Sequence, residues 1–152
     1  IKLYLAIISP PPSKKEKYIT SNIEKSSFSN VRKMTTSDIK GKFAKTYIKI
    51  LAKNSKYALA LLYPITGRTH QLRVHMNYIG CSIIGDKKYK LNENFRDNEN
   101  FLKLHSYVIK FPNQDFIKAP LPEHFINFMK ENKLDIDLEK IEKDFEKEFT
   151  YE

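Results

Sequence analysis

Cysteine is nearly missing from this chain. Cys81 stands alone, so no internal disulfide and no thiolate-built zinc site can form. A reducing compartment suits that composition. No apolar run approaches the roughly 20 residues of a membrane-spanning helix. The opening stretch, residues 1–8, is too short and too lightly flanked for a secretory signal. His70 and His75 lie five positions apart, whereas two ligands on one helix face lie four apart, and His105 and His124 have no carboxylate or cysteine companions. No metal site is expected. Gly67-Arg68-Thr69 lacks the glycine spacing of a phosphate loop, and no serine sits in a nucleophile elbow. Cys81 itself, in an apolar context behind Gly80, reads as a core thiol rather than a nucleophile.

Acid is scarce and unevenly placed. The 27 Lys+Arg against 18 Asp+Glu leave +9 over 152 residues. Residues 131–152 carry −5 and the rest of the chain +14. A basic body suggests a polyanionic partner, nucleic acid first. A lysine-rich proteome that makes every surface basic is the bland alternative. The length fits one domain with a proper core. The organisation expected is a body over 1–130 and an acidic amphipathic helical tail over 131–152. There is no internal repeat.

The pattern of what is present predicts an α+β fold, a mostly antiparallel mixed sheet with packed helices. Lys2 to Ser9 reads as a strand, stopped by Pro10-Pro11-Pro12. Ser13 to Asp38 is polar and basic. It reads as a loop-rich excursion, either solvated or facing RNA, with short strands conceivable at 18–20 and 31–34. Ala44 to Leu51 and Tyr57 to Ile65 read as antiparallel strands joined at Lys53-Asn54-Ser55-Lys56. Lys87 to Glu99 reads as an exposed loop. Ser106 to Phe111 and Phe116 to Lys118 read as a returning pair, and Pro122 as the start of a helix through Lys130. In the tail, Leu134, Leu138, Ile141, Phe145 and Phe149 mark one helical stripe that docks on this domain or on a partner.

The stretch Pro64 to Gly80 organises the rest. It reads as a strand end, a turn using the freedom of Gly67, and a short helix ended by a left-handed Gly80. Leu72, Met76 and Ile79 share one helical face, and His70, Arg73 and Asn77 another. Arg68 and Arg73 flank a His-Gln pair near the helix start. Such arginines bind phosphate, hold a carboxylate ionised, or pair with a surface acid; spacing leaves the three open.

Residues Pro64 to His75, continuing through Gly80 to Ile83-Ile84-Gly85-Asp86 and Tyr89, resemble the hallmark motif of RluA-type pseudouridine synthases. Lys2-Leu3-Tyr4-Leu5-Ala6 resembles that family's Lys-x-Tyr-x-Ala strand. Gly41-Lys42 with Ala44, Thr46 and Tyr47, then Leu104-His105, Phe111 and Ala119-Pro120-Leu121-Pro122, follow in the family's order. The resemblance covers about residues 2 to 125 and implies the C-terminal half of the pseudouridine synthase catalytic fold. It implies isomerisation of uridine to pseudouridine in RNA, large-subunit (23S-type) ribosomal RNA first, with no cofactor and no metal. The target base leaves the stack, because the base–sugar bond is the one broken. Tyr4 would stack on the flipped uracil and help move a proton. Arg73 would pair with the catalytic aspartate, Leu72 would wall the base, and Arg68 and His70 would fix the turn or meet phosphate.

The family's Arg-Leu-Asp motif, which carries the nucleophile upstream of the tyrosine strand, is absent from this sequence. None of its aspartates sits in a comparable context, and Asp86 reads as part of a Gly-Asp turn. The chain is therefore expected to be a fragment, inactive alone and completed by a missing N-terminal half. Exposed sheet edges and apolar surface are expected where that half packs. Ser82 stands where the family usually has proline, and Lys90 where it often has glycine. The alternatives are a non-catalytic RNA-binding or ribosome-assembly module, or a degraded gene product. The Lys/Ile/Asn bias suits a bacterial cytoplasm, with an organelle still open.

Overall fold

The computed structural model describes residues 1–14, 16–26, 33–37, 40–91 and 97–149. Within these residues eight strands form one sheet: β1 (Lys2–Ser9), β2 (Glu16–Lys25), β3 (Met34–Ser37), β4 (Lys42–Lys53), β5 (Ala58–Pro64), β6 (Ser82–Ile83), β7 (Leu104–Ile109) and β8 (Ile117–Lys118). Their order is β3-β2-β4-β5-β1-β7-β8, with β6 also pairing β1. Every ladder is antiparallel. Among the described residues three helices pack on it: α1 (Gln71–Tyr78), α2 (Glu123–Glu131) and α3 (Leu138–Phe149). The expected α+β architecture is the one found.

Period-two alternation divides the central strands between two cores. Leu3, Leu5 and Ile7 of β1 join Leu59, Leu61 and Tyr47 on one face, covered by Phe125, Phe128 and Met129 of α2 and Phe145 and Phe149 of α3. Ala6 and Ile8 join Ala58, Ala60, Leu62, Ile48 and Ile50 on the other, covered by Leu72 and Met76 of α1. Tyr4 packs with this second group. The alternation thus places Tyr4 on the side of the sheet that carries the Pro64 to Gly80 stretch.

The excursion over 13–38 departs from expectation. β2 is a ten-residue strand paired with β4 from Ile23 opposite Lys42 to Glu16 opposite Lys49. Ile19 and Ile23 bury on one face while Tyr18 and Thr20 stay outside. With only two apolar anchors among polar residues, β2 has weak local strand character, and its long ladder with β4 holds it. The strand conceivable at 31–34 lies partly outside the described residues; β3 occupies 34–37.

The tail stripe also divides. Lys133 turns left-handed at φ 56 behind α2, and Leu134 buries in the connection rather than in a helix. α3 starts only at Leu138, where the Asp137 carboxylate accepts from Lys140 N at 3.2 Å and caps the first turn. Its stripe docks on this chain. Among the exposed apolar side chains, Phe111 and Ile117 sit at the β8 edge of the sheet.

Candidate active site

The Pro64 to Gly80 stretch folds as strand, turn and helix because its polar side chains are consumed locally. Gln71, at the start of α1, fills its whole amide. Thr66 Oγ1 and Arg68 N donate to Oε1 at 2.6 and 3.0 Å. Nε2 donates to Lys45 O and Thr46 Oγ1, both at 2.9 Å. One turn later His75 bonds Thr46 Oγ1 at 2.8 Å and Ser21 Oγ at 2.9 Å. Gln71 and His75, at i and i+4, form a buried polar stripe that ties α1 to β4 and β2. Burial lowers the His75 pKa to about 4, so the ring is neutral at physiological pH. The sequence grouping of α1 into one apolar and one basic face missed this stripe, whose signal was that same i, i+4 spacing.

The turn itself corrects another expectation. Gly67 is not left-handed; the positive φ belongs to His70, at 54°, just before the helix. His70 Nδ1 meets the Tyr89 hydroxyl at 2.7 Å, which also accepts from Met34 N at 2.9 Å. Tyr89 is buried inside the segment expected to be an exposed loop. Two bonds from the tyrosine hydroxyl thus hold the awkward backbone of His70 and tether β3. Gly80 follows α1 at φ 85, as expected. Ser82, in the usual proline position, accepts from Leu91 N at 3.0 Å and anchors the loop behind it.

Tyr4, Arg68, His70, Leu72 and Arg73, scattered through the sequence, line one cavity of about 530 Å³ together with Lys2, Leu104 and the 64–67 turn. A bulge lies beside it: β1 pairs Leu3 with Val108 but Tyr4 with Ser106, so β7 carries an extra residue where Tyr4 meets the cavity. Leu72 is buried against the sheet, while Tyr4 and the Arg73 side chain are partly exposed.

Arg73 pairs with a carboxylate of this chain, Asp86, which the sequence placed in a Gly-Asp turn. Its Nε and Nη2 donate to the two oxygens of Asp86 at 2.9 and 2.8 Å, a bidentate pair with the acid almost fully buried. Its Cζ lies 4.9 Å from the centre of the Tyr89 ring. Gly85 makes this possible. It is left-handed at φ 84, and a Cβ there would come within 2.2 Å of Phe101 O, so only glycine lets the turn deliver Asp86 beneath α1. Burial alone would raise the Asp86 pKa. The Arg73 bonds and the backbone N–H groups of Tyr89 and Lys88 outweigh it and hold the carboxyl below its ordinary range. The same pairing raises the Arg73 pKa against its own burial. Cys81 is buried, its thiol pushed up to about 11 by desolvation, as suits a core residue.

Residues 1–78 match the family model described as RNA pseudouridylate synthase. Ribosomal large subunit pseudouridine synthase C of Rickettsia bellii is 36% identical over 130 residues, 82% of this chain and 43% of that protein. The synthase of the same name from Buchnera aphidicola is 37% identical over 138 residues, 84% of this chain and 44% of that protein. Among solved structures, human RNA pseudouridylate synthase domain containing 1 superposes with a TM-score of 0.69 at 26% identity, over 82% of this chain and 55% of that one. An antiparallel sheet carrying a tyrosine strand and an arginine helix around one cavity, with these relatives, places the chain in the RNA pseudouridylate synthase family. It spans less than half the length of the two bacterial relatives. No helix among the described residues is long and apolar enough to cross a membrane.

Proposed function

We propose that this chain supplies the tyrosine and arginine half of an RNA pseudouridine synthase site that acts on large-subunit ribosomal RNA in a bacterial cytoplasm. The observation that carries the reading is the convergence of Tyr4, Leu72 and Arg73 on one cavity in a member of this family. A flipped uracil enters between the Tyr4 ring and the Leu72 side chain. The ring supplies a stacking face and a hydroxyl for proton movement. An aspartate from an upstream segment attacks, the base detaches and turns, and a carbon–carbon bond replaces the carbon–nitrogen one.

Arg73 holds that aspartate ionised, as an adjacent guanidinium favours a carboxylate by about 1–3 pKa units. Asp86 does not forbid the role. It takes only two of the five N–H donors, and Nη1 has no partner among the described residues. Arg68 and His70 fix the turn on which the cavity wall stands. The domain division is a catalytic half over 1–130 and a tail over 131–152, whose described part, to Phe149, braces that half from behind.

The test is an assay of pseudouridine formation on ribosomal RNA transcripts. One arm uses this chain alone. The other uses a continuous polypeptide that adds the upstream aspartate segment of a relative. Turnover is expected only from the second. Equal turnover from the first would show that the nucleophile lies within these 152 residues.

A further inference from the structure

We propose that the hollow next to the active-site cavity seats the neighbouring nucleotide of the RNA strand, its phosphate held by Lys25, Lys42 and Arg68. This rests on the reading of the first cavity as the place of the target uridine.

The Gly67-Arg68 turn is a wall shared by two cavities. The second, about 340 Å³, opens between the turn and the ends of β2 and β3. Ile23, buried, and Met34, half-buried, give it an apolar side. Lys25, Lys42 and Arg68 give it a basic rim, against one acid, Glu24. Arg68 commits only Nε, to Phe43 O at 2.8 Å. Its two terminal nitrogens and both lysine ammoniums have no partner among the described residues. A guanidinium pinned at Nε is oriented in advance and offers its free edge, the geometry that suits phosphate oxygens. An apolar side beneath a cationic rim matches a nucleotide, whose base and sugar present apolar surface and whose phosphate is anionic.

Gly67 points the same way independently. Its φ lies outside the left-handed region, and a Cβ built on it meets no atom within 4 Å. Neither backbone conformation nor packing within the chain requires glycine there. A side chain would instead stand on the ridge between the two cavities, where a strand running from one to the other has to cross. The absent side chain is explained by close approach of something that is not part of this chain.

The experiment measures binding of the chain to a short uridine-containing single-stranded RNA across a salt series. Lys25→Gln with Lys42→Gln is expected to shrink the slope of log affinity against log salt by about 0.7, the value of one phosphate contact on a single strand. Lys53→Gln with Lys56→Gln, at the opposite end of β5, is expected to leave it unchanged. Gly67→Ala is expected to weaken binding severalfold at an unchanged thermal midpoint. Unaltered slope and affinity in the first and third variants, with the parent binding RNA normally, would overturn the subsite and leave the catalytic reading intact. An equal loss in the Lys53/Lys56 pair would overturn its location. A parent chain with no salt-dependent RNA binding would remove the RNA-facing reading of both cavities.

Discussion

Arg73 has five N–H donors and gives two of them to Asp86. That division fixes the guanidinium in one plane against Tyr89 while an edge of it stays available to the cavity. In a complete enzyme, Arg73→Ala is expected to lower turnover by more than about a hundredfold, with RNA affinity within a few-fold of the parent. Single-turnover kinetics and a binding titration separate the two. Near-normal turnover would remove Arg73 from the reaction. His75 makes a second prediction, through pH. Its ring is neutral in the fold down to about pH 4, while the unfolded chain protonates it near the ordinary histidine value of 6.5. Between those values the unfolded state binds more protons, so stability falls as pH falls through that window and His75 adds no dependence above it. The full loss amounts to about 3 kcal/mol. Denaturant titrations at several pH values check it, and His75→Gln is expected to flatten that part of the profile.

At the level of elements, α3 contributes no residue to the first cavity and a large share to the core behind it. Phe145 is fully buried between the rings of Tyr107 and Phe116, and Phe149 packs edge-on against Tyr63. Glu142, Glu146 and Glu148 turn toward the sheet. Glu142 accepts from the Tyr107 hydroxyl, and Lys118 pairs with Glu142 and Glu146 at 2.9 and 3.2 Å. Burial first, then this bond to Glu142, raises the Tyr107 pKa, so its hydroxyl stays a donor. Phe145→Ala is expected to cost about 3–5 kcal/mol, as for other buried aromatics. Glu146→Gln, which touches a partly exposed pair, is expected to cost less than about 1 kcal/mol. Equilibrium unfolding in urea distinguishes them, and equal small losses would mean that α3 is not part of the cooperative core. β2 shows the opposite case. Its ladder with β4 is long, its local pattern is weak, and its position decides where Ser21 meets His75 and where Lys25 reaches the second cavity.

Over the whole molecule, charge separates by face. The acidic tail lies against Lys49 and Lys118 on the side of α2 and α3, while Lys25, Lys42 and Arg68 gather beside the cavities. The acidic stretch already visible in sequence is thereby held away from the basic rim that a polyanion would meet. The sequence by itself determined the strands of the sheet's centre, the helix behind the Gly67 turn and the family motif, because these rest on periods of two and 3.6 residues and on a fixed run of residue types. It also marked Tyr4, Arg68, His70, Leu72 and Arg73, five of the residues that line the first cavity. Only the tertiary structure decided that β2 is a strand, that His70 rather than Gly67 takes the left-handed backbone, and that Asp86 pairs with Arg73. Each depends on how a distant segment closes: β4 supplies the ladder for β2, Tyr89 supplies the hydroxyl for His70, and the Phe101 carbonyl leaves Gly85 no room for a side chain. Local periodicity sets the direction of a side chain, and loop closure through space sets its partner.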